Sequence, residues 1–303
     1  MHAPVLKYFL EVARSGSIRK ASAKLFVASS AINRHIIKLE EELGTELFDR
    51  LPTGLRLNAA GERLLRHVST TLHDFTLLRD ELHALQGDRR GHVALAAMDS
   101  LFLDFLPAVV EEFSSAYGAV TLALHAVPPV AIPEAIAKGE YDIGMTFTNR
   151  IPAGLQAVED VALPLGIVMS SSHPLSKARS IDLAECASYP FVRSGGASPL
   201  QTIDSPEFTE FWNSISPIVE SNWTPLLKRL IVAGKGIGIF TQLAFFEELS
   251  SGDVVWKPLK LDAANAIRVG VVVAVHRPLS SVATAFVELA CKRLKDAESQ
   301  ALF

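Results

Sequence analysis

Two spacing patterns divide the chain. Through about residue 85 apolar side chains recur three and four apart, and beyond residue 90 they gather in short runs rich in β-branched residues. Leu6, Phe9, Leu10 and Ala13 make the stripe of a first helix, which RSGS ends at Gly16 while offering Ser17 as the cap of the next. A second helix is expected from Ser17 to Leu25, with Ala21 small where a neighbour must cross. Phe26, Val27 and Ala28 form a turn, and Ser29 or Ser30 is expected to cap a third helix. The inner face of that helix is Ile32, Ile36, Leu39 and Leu43. Its outer face carries Ser30, Asn33, Arg34 and Lys38, with only Ile37 interrupting. Gly44 is suited to close it in the left-handed conformation. RLPTGLRL then reads as two extended pieces around a Pro-Thr-Gly turn, a wing with Arg50 and Arg56 at its base and edge. Two short helices, a tight turn and a wing make a winged helix-turn-helix; periodicity alone also allows three helices of an unrelated bundle.

Residues 58–85 continue as a long helix without proline, striped by Leu65, Val68, Leu72, Phe75, Leu82 and Leu85. Such a stripe needs a partner, and a second copy of the same helix supplies one. His67, His73 and His83 on this helix are expected to face solvent. GDRRG, Gly87 to Gly91, is a polar hinge. After it HVALAA, VTLALHAV, YDIGMTF, LGIVMSS, PFVRS, KGIGIF and RVGVVVAVH alternate with helical stretches, which predicts parallel sheets covered on both faces.

Composition sharpens this division. At 49% hydrophobic and 20% charged, the 303 residues suit two or three globular units. The overall charge of −4 hides an asymmetry: the first ninety residues hold 14 Lys+Arg against 11 Asp+Glu, the remainder 15 against 22. That hints at a nucleic-acid-facing part joined to a part with other business. Cys186 and Cys291, distant and set in apolar stretches, are expected to be reduced core residues. The start of the chain lacks a signal-peptide core, and the longest uncharged run, Phe113 to Pro133, holds three prolines. A cytoplasmic protein with no membrane partner is the expectation.

The run from Ser17 to Leu65 resembles the DNA-binding domain of the LysR-type transcriptional regulators. The resemblance rests on Leu39-Glu40, Leu43-Gly44, Leu47-Phe48 and Arg50 at the family's spacing. Ala21-Ser22, Ser29-Ser30, Asn33 and Asn58 stand where the family more often has Ala-Ala, Gln-Pro, Ser and Thr, so the scaffold is similar while residues that would face DNA differ. A looser likeness in EAIAKGEYDIGM, HPLS and LIVAGKGIGIF implies a type II periplasmic-binding-protein-like effector domain of two Rossmann-like subdomains. The resemblance implies a winged helix-turn-helix at 1–58, a dimerising linker helix at 59–88 and an effector domain at 89–303. Within the last, subdomain I comprises 89–162 and 267–303, and subdomain II comprises 163–266. A dimer of dimers is also implied, whereas the residues by themselves support a dimer.

Candidate chemistry follows from these positions. Arg34 can bond bidentately to guanine and Asn33 to adenine, each worth about 1–3 kcal/mol of discrimination. Ser29 and Ser30 suit phosphate or base-edge contact at a helix start, and Lys38, Arg50 and Arg56 suit phosphates. Two such heads would read a pseudo-palindromic operator in double-stranded DNA. Strand ends select Ser100, Thr146, Phe147, Arg193, Ser194 and Thr241 as effector contacts, with Asn222 and Thr224 added by family analogy. Arg193 is a candidate clamp for a carboxylate effector, with an ordinary salt bridge as the alternative. VPP at Val127 to Pro129 and Thr241-Gln242 depart from the usual pattern and reshape that pocket. GKGIGIF lacks dinucleotide-site spacing, and no GxSxG elbow, P-loop, HExxH or paired Cys/His spacing is present, so no catalytic residue, metal or cofactor is expected. An α/β enzyme and a free solute-binding protein are the rival readings to an effector-switched regulator that engages the transcription machinery.

Overall fold

The computed structural model describes residues 4–52, 54–85, 91–195 and 203–301. Contacts divide the chain into two units, at Leu85/Gln86. The hinge residues 87–90 and Thr53 of the wing turn lie outside the described residues.

The first unit holds α1 (Pro4–Ser15), α2 (Ile18–Leu25), α3 (Ser29–Leu43), the hairpin β1 (Phe48–Leu51) and β2 (Gly54–Leu57), and α4 (Ala59–Leu85). Phe9, Val12, Ala21, Ile32, Ile36, Leu39, Leu47, Phe48 and Val68 form its buried core. Much of the motif around Leu39 is structural, but Leu43, expected on the inner face of α3, is 48% exposed, and Arg50 is exposed as well. Leu39 is buried, the Glu40 carboxylate accepts the Leu47 amide at 2.7 Å, and Gly44 closes α3 at φ +66°. Asn58 starts α4: its Oδ1 accepts the Gly61 amide at 2.9 Å, and its Nδ2 donates to the Glu46 carbonyl at 2.8 Å. Gly61 is required there, because a Cβ would stand 2.1 Å from the Leu47 carbonyl oxygen. Further along α4, Leu65 and Leu72 pack on the core, whereas Leu78 and Leu82 are 44% and 51% exposed. The side chains of His83 and Leu85 lie outside those described.

In the second unit a five-stranded sheet is ordered β4 (Val120–Ala126), β3 (Gly91–Ala97), β5 (Ile143–Phe147), β12 (Arg268–Ala274), β6 (Leu155–Ala162). Helices α5 (Phe105–Ala116) and α12 (Ser281–Ala301) pack on one face, and α6 (Ile132–Ala137) packs on the other. The second layer system centres on β7 (Gly166–Ser170), between β10 (Gly238–Phe240) and β11 (Val254–Pro258). A parallel pair, β8 (Val192–Ser194) and β9 (Val219–Ser221), lies beyond β10 through the Phe191–Ile237 bridge. Helices α7 (Leu183–Cys186), α8 (Pro206–Ser214), α9 (Thr224–Val232), α10 (Phe246–Ser251) and α11 (Asp262–Asn265) complete it.

The expectation of parallel sheets is corrected to mixed ones. Strand β3 runs parallel to β4 and β5, but β12 is antiparallel to β5 and β6, and β7 is antiparallel to both neighbours. The chain passes from the first subdomain to the second and back, and each return reverses the strand direction. The two passages lie side by side, with Leu163 N bonded to Ile267 O and Leu165 N to Ala264 O, both at 3.0 Å. Asn149 holds the return passage through Ala266 O and Arg268 N, while Asp160 accepts two bonds from Arg268 and one from Thr148.

The remaining motifs also resolve into structure. Asp142 accepts the Ala94 amide, tying the DIGM strand to β3. His173 Nδ1 accepts the Leu175 amide, so HPLS is a turn cap. Gly236 and Gly238 lie too close to the carbonyls of Pro190 and Val192 for a side chain, at 2.8 and 3.0 Å from an added Cβ. These two glycines of GKGIGIF therefore serve packing, while Gly234 takes a left-handed turn at φ +67°.

Candidate functional site

The first site lies on the outer face of α3. Arg34 is exposed and has no ion-pair partner among the described residues. Lys38 is exposed and stands 3.9 Å from Glu42 one turn on, a pair of little energetic weight. The expected serine cap is corrected: Ala28 holds the cap position, and no side chain bonds the first amides of α3. Ala28 is extended, at φ −56° and ψ 134°, so the helix begins at Ser29 and both serines fall within its exposed first turn. Their backbone N–H groups are left for an outside acceptor. By contrast Ser17 caps α2, accepting the Lys20 amide.

Asn33 lines a groove of about 310 Å³ bounded by Ser17, Arg19, Arg50, Leu51 and Gly54. Arg50 is exposed and unpaired among the described residues, whereas Arg56 reaches Asp49 across the hairpin at 3.4 Å. Arg19 is the cationic residue that sequence reasoning passed over. Its signal was present: it follows the Ser17 cap on the exposed face of α2.

The second site is a cavity of about 330 Å³ between the two subdomains of the second unit. One wall is apolar, built from Met98, Val127, Pro128, Pro129, Val130 and Phe147 of the first subdomain. Leu165, Trp223, Ile239, Phe240 and Ala244 face it from the second. Ser100, Ser194, Asn222, Thr224 and Thr241 all reach this lining, as does Asp99. Thr146 does not. It is buried, donates to the Pro129 carbonyl at 3.1 Å, and lines an adjoining cavity with Arg150 and Phe147.

Arg193 is also outside the cavity. Its guanidinium donates to Glu220 through Nε at 2.8 Å and through Nη2, donates to the carbonyls of Trp212 and Ile215, and stacks over the Trp212 ring. The carboxylate clamp expected there is thus corrected to an internal salt bridge, since Glu220 on the neighbouring strand already saturates the fork.

Two carboxylates flanking the turn after β3 grip α9. Asp99 Oδ2 accepts both the amide and the hydroxyl of Thr224, at 3.1 and 2.5 Å. One turn later Lys228 bonds both oxygens of Asp104 at 3.3 and 3.4 Å and stands 2.8 Å from Glu248. The spacing of four on α9 places Thr224 and Lys228 on one face, toward the first subdomain.

A winged helix-turn-helix head and a cleft between two α/β subdomains define a DNA-binding regulator that carries its own binding domain. The family described as "Bacterial regulatory helix-turn-helix protein, lysR family" matches residues 5–62, and "LysR substrate binding domain" matches residues 86–295. The chain is 23% identical over 281 residues to the transcriptional activator protein LysR of Escherichia coli, covering 93% of this chain and 89% of that one. It is 26% identical to the transcriptional dual regulator GltC of Bacillus subtilis, over 80% and 81% of the two chains. A full-length OxyR variant from Pseudomonas aeruginosa shares the fold at TM-score 0.67 and 16% identity, over 97% and 95%. CbnR in complex with its target DNA does so at 0.56 and 18%, over 97% and 100%. The chain belongs to the LysR family of DNA-binding transcriptional regulators. Its relatives are regulators and not enzymes, and among the described residues no helix is long and apolar enough to cross a membrane.

Proposed function

We propose that this protein is a cytoplasmic, homo-oligomeric regulator whose engagement of a pseudo-palindromic operator is switched by a small molecule in the inter-subdomain cleft. The observation that carries the reading is the cleft itself, a cavity closed across by Asp99–Thr224 and Asp104–Lys228. A ligand seated beside those bonds favours whichever closure gives it more contact, and differential affinity is the only means by which it shifts the equilibrium.

In the head, Arg34 and Asn33 read bases, the first turn at Ser29 and Ser30 meets the DNA edge, and Lys38, Arg50, Arg56 and Arg19 hold phosphates. In the cleft, Ser100, Ser194, Asn222, Thr224 and Thr241 orient the effector while Phe147 and its apolar neighbours enclose it. Paired α4 helices bring two heads together, and a tetramer would place two such pairs on one promoter, in contact with the transcription machinery.

Genome-wide occupancy of the native protein and of Arg34→Ala tests the reading. The native protein is expected to give discrete peaks sharing an inverted repeat. Arg34→Ala should lose that pattern while purified protein retains salt-sensitive binding to arbitrary DNA. Unaltered peaks in the variant would remove Arg34 from the reading role. A reporter driven from the strongest peak should lose its response to growth conditions in a cleft-filling Ala244→Phe variant that still occupies the site.

A further inference from the structure

We infer that the cleft selects an aromatic or aliphatic molecule whose head group donates hydrogen bonds to Asp99, and that it discriminates against carboxylates. This rests on the reading of the cleft as the effector site.

Asp99 is the one ionisable side chain among the described lining residues. The sequence continuing from Gly195, Gly196 to Thr202, also contains no Lys, Arg or His. Cations on neighbouring elements are committed elsewhere, Arg150 of the adjoining cavity to Asp204. Arg193 is held by Glu220, and Lys228 is shared between Asp104 and Glu248, so the seam along α9 sets Asp99, Asp104 and Glu248 against one ammonium. Pro128 and Pro129 in the first subdomain's wall have no N–H to offer an anion.

Asp99 itself is half engaged. Its Oδ2 takes both bonds from Thr224, while Oδ1 accepts no hydrogen bond among the described residues. A carboxylate that lines a cavity without a cation among the described lining residues attracts a donor and repels an anion. The hydroxyls of Ser100, Ser194 and Thr241 serve either sense, so the sign of the site is decided by Asp99. An alcohol, a phenol and an amine all meet this requirement. The apolar walls ask for a hydrocarbon body, with Phe147, Trp223 and Phe240 offering ring faces.

Three probes sharing one body test the assignment on the full-length protein: 3-phenylpropan-1-ol, 3-phenylpropylamine and 3-phenylpropionate. Trp223, 63% exposed at the cavity lining, reports by its fluorescence, with Trp223→Phe as the control that assigns the signal. The alcohol and the amine are expected to bind about tenfold or more tightly than the acid. Asp99→Asn should narrow the gap between amine and acid. Equal or preferred binding of the acid overturns the assignment, as does an unchanged gap between amine and acid in Asp99→Asn or the absence of any Trp223-dependent response. If the acid prevails and Ala244→Phe blocks it, the cleft stands as the site and only the ligand class falls. If Ala244→Phe leaves all binding untouched, the cleft reading falls as well.

Discussion

Phe26 stands at the C-cap of α2 with φ +54°, the left-handed region that side chains rarely adopt, and its ring is 95% exposed. The conformation costs about 1–2 kcal/mol for an ordinary L-residue, and the exposed ring recovers none of it through burial. Phe26→Asn is therefore expected to raise the stability of the head by about 1 kcal/mol, read as a higher Tm. A lower Tm would show that the ring is held by contacts of its own. The thiols are quiet by comparison. Burial pushes Cys186 up to about 12 and Cys291 up to about 11, so both are protonated at neutral pH and poor nucleophiles. At this scale Arg34 lies on the exposed face expected from spacing, and of the strand-end hydroxyls Ser100, Ser194 and Thr241 line the cavity whereas Thr146 does not. Arg193 was not readable, because its partner Glu220 is 27 residues away and no local pattern announces it. The cavity walls were equally silent, since Leu165, Trp223 and Ala244 look in sequence like any other core positions.

Among elements, the paired passages between subdomains depend on Asp160. Its hydrogen bonds from Arg268 hold the carboxyl below the usual aspartate range against the opposing cost of burial, with a lesser contribution from Thr148. A folded pKa lower than the unfolded value means stability that is present above about pH 4 and lost as pH falls through the folded value. Asp160→Asn should accordingly lower the Tm of the second unit at pH 7, and the gap from the parent should narrow below about pH 4. A constant gap across that range would assign the loss to packing. Strand identity was legible in the apolar runs, but strand direction was not, because a buried strand reads the same both ways. Three strands escaped notice for a related reason: LQAVEDVA, VES and VVWKP interleave charged or polar residues with their apolar positions.

For the whole molecule, Leu78 and Leu82 in the far half of α4 are exposed while its near half is packed into the head. Burying both leucines against a second copy is worth about 2 kcal/mol or more per helix. The double variant Leu78→Lys, Leu82→Lys is expected to shift sedimentation toward the monomer, and an unchanged sedimentation coefficient would place the association elsewhere. The seating of Asn58 gives that helix a mechanical meaning. With one side chain gripping both the Glu46 carbonyl and the Gly61 amide, and Gly61 pressed on Leu47, there is no slack between head and rod. A rod of 27 residues is about 40 Å long. Tilting its far end by about 5° sweeps the head through about 3.5 Å, one base-pair step along a duplex. Under the proposed effector-switched reading, a tilt of that size would carry Arg34 from one base to the next.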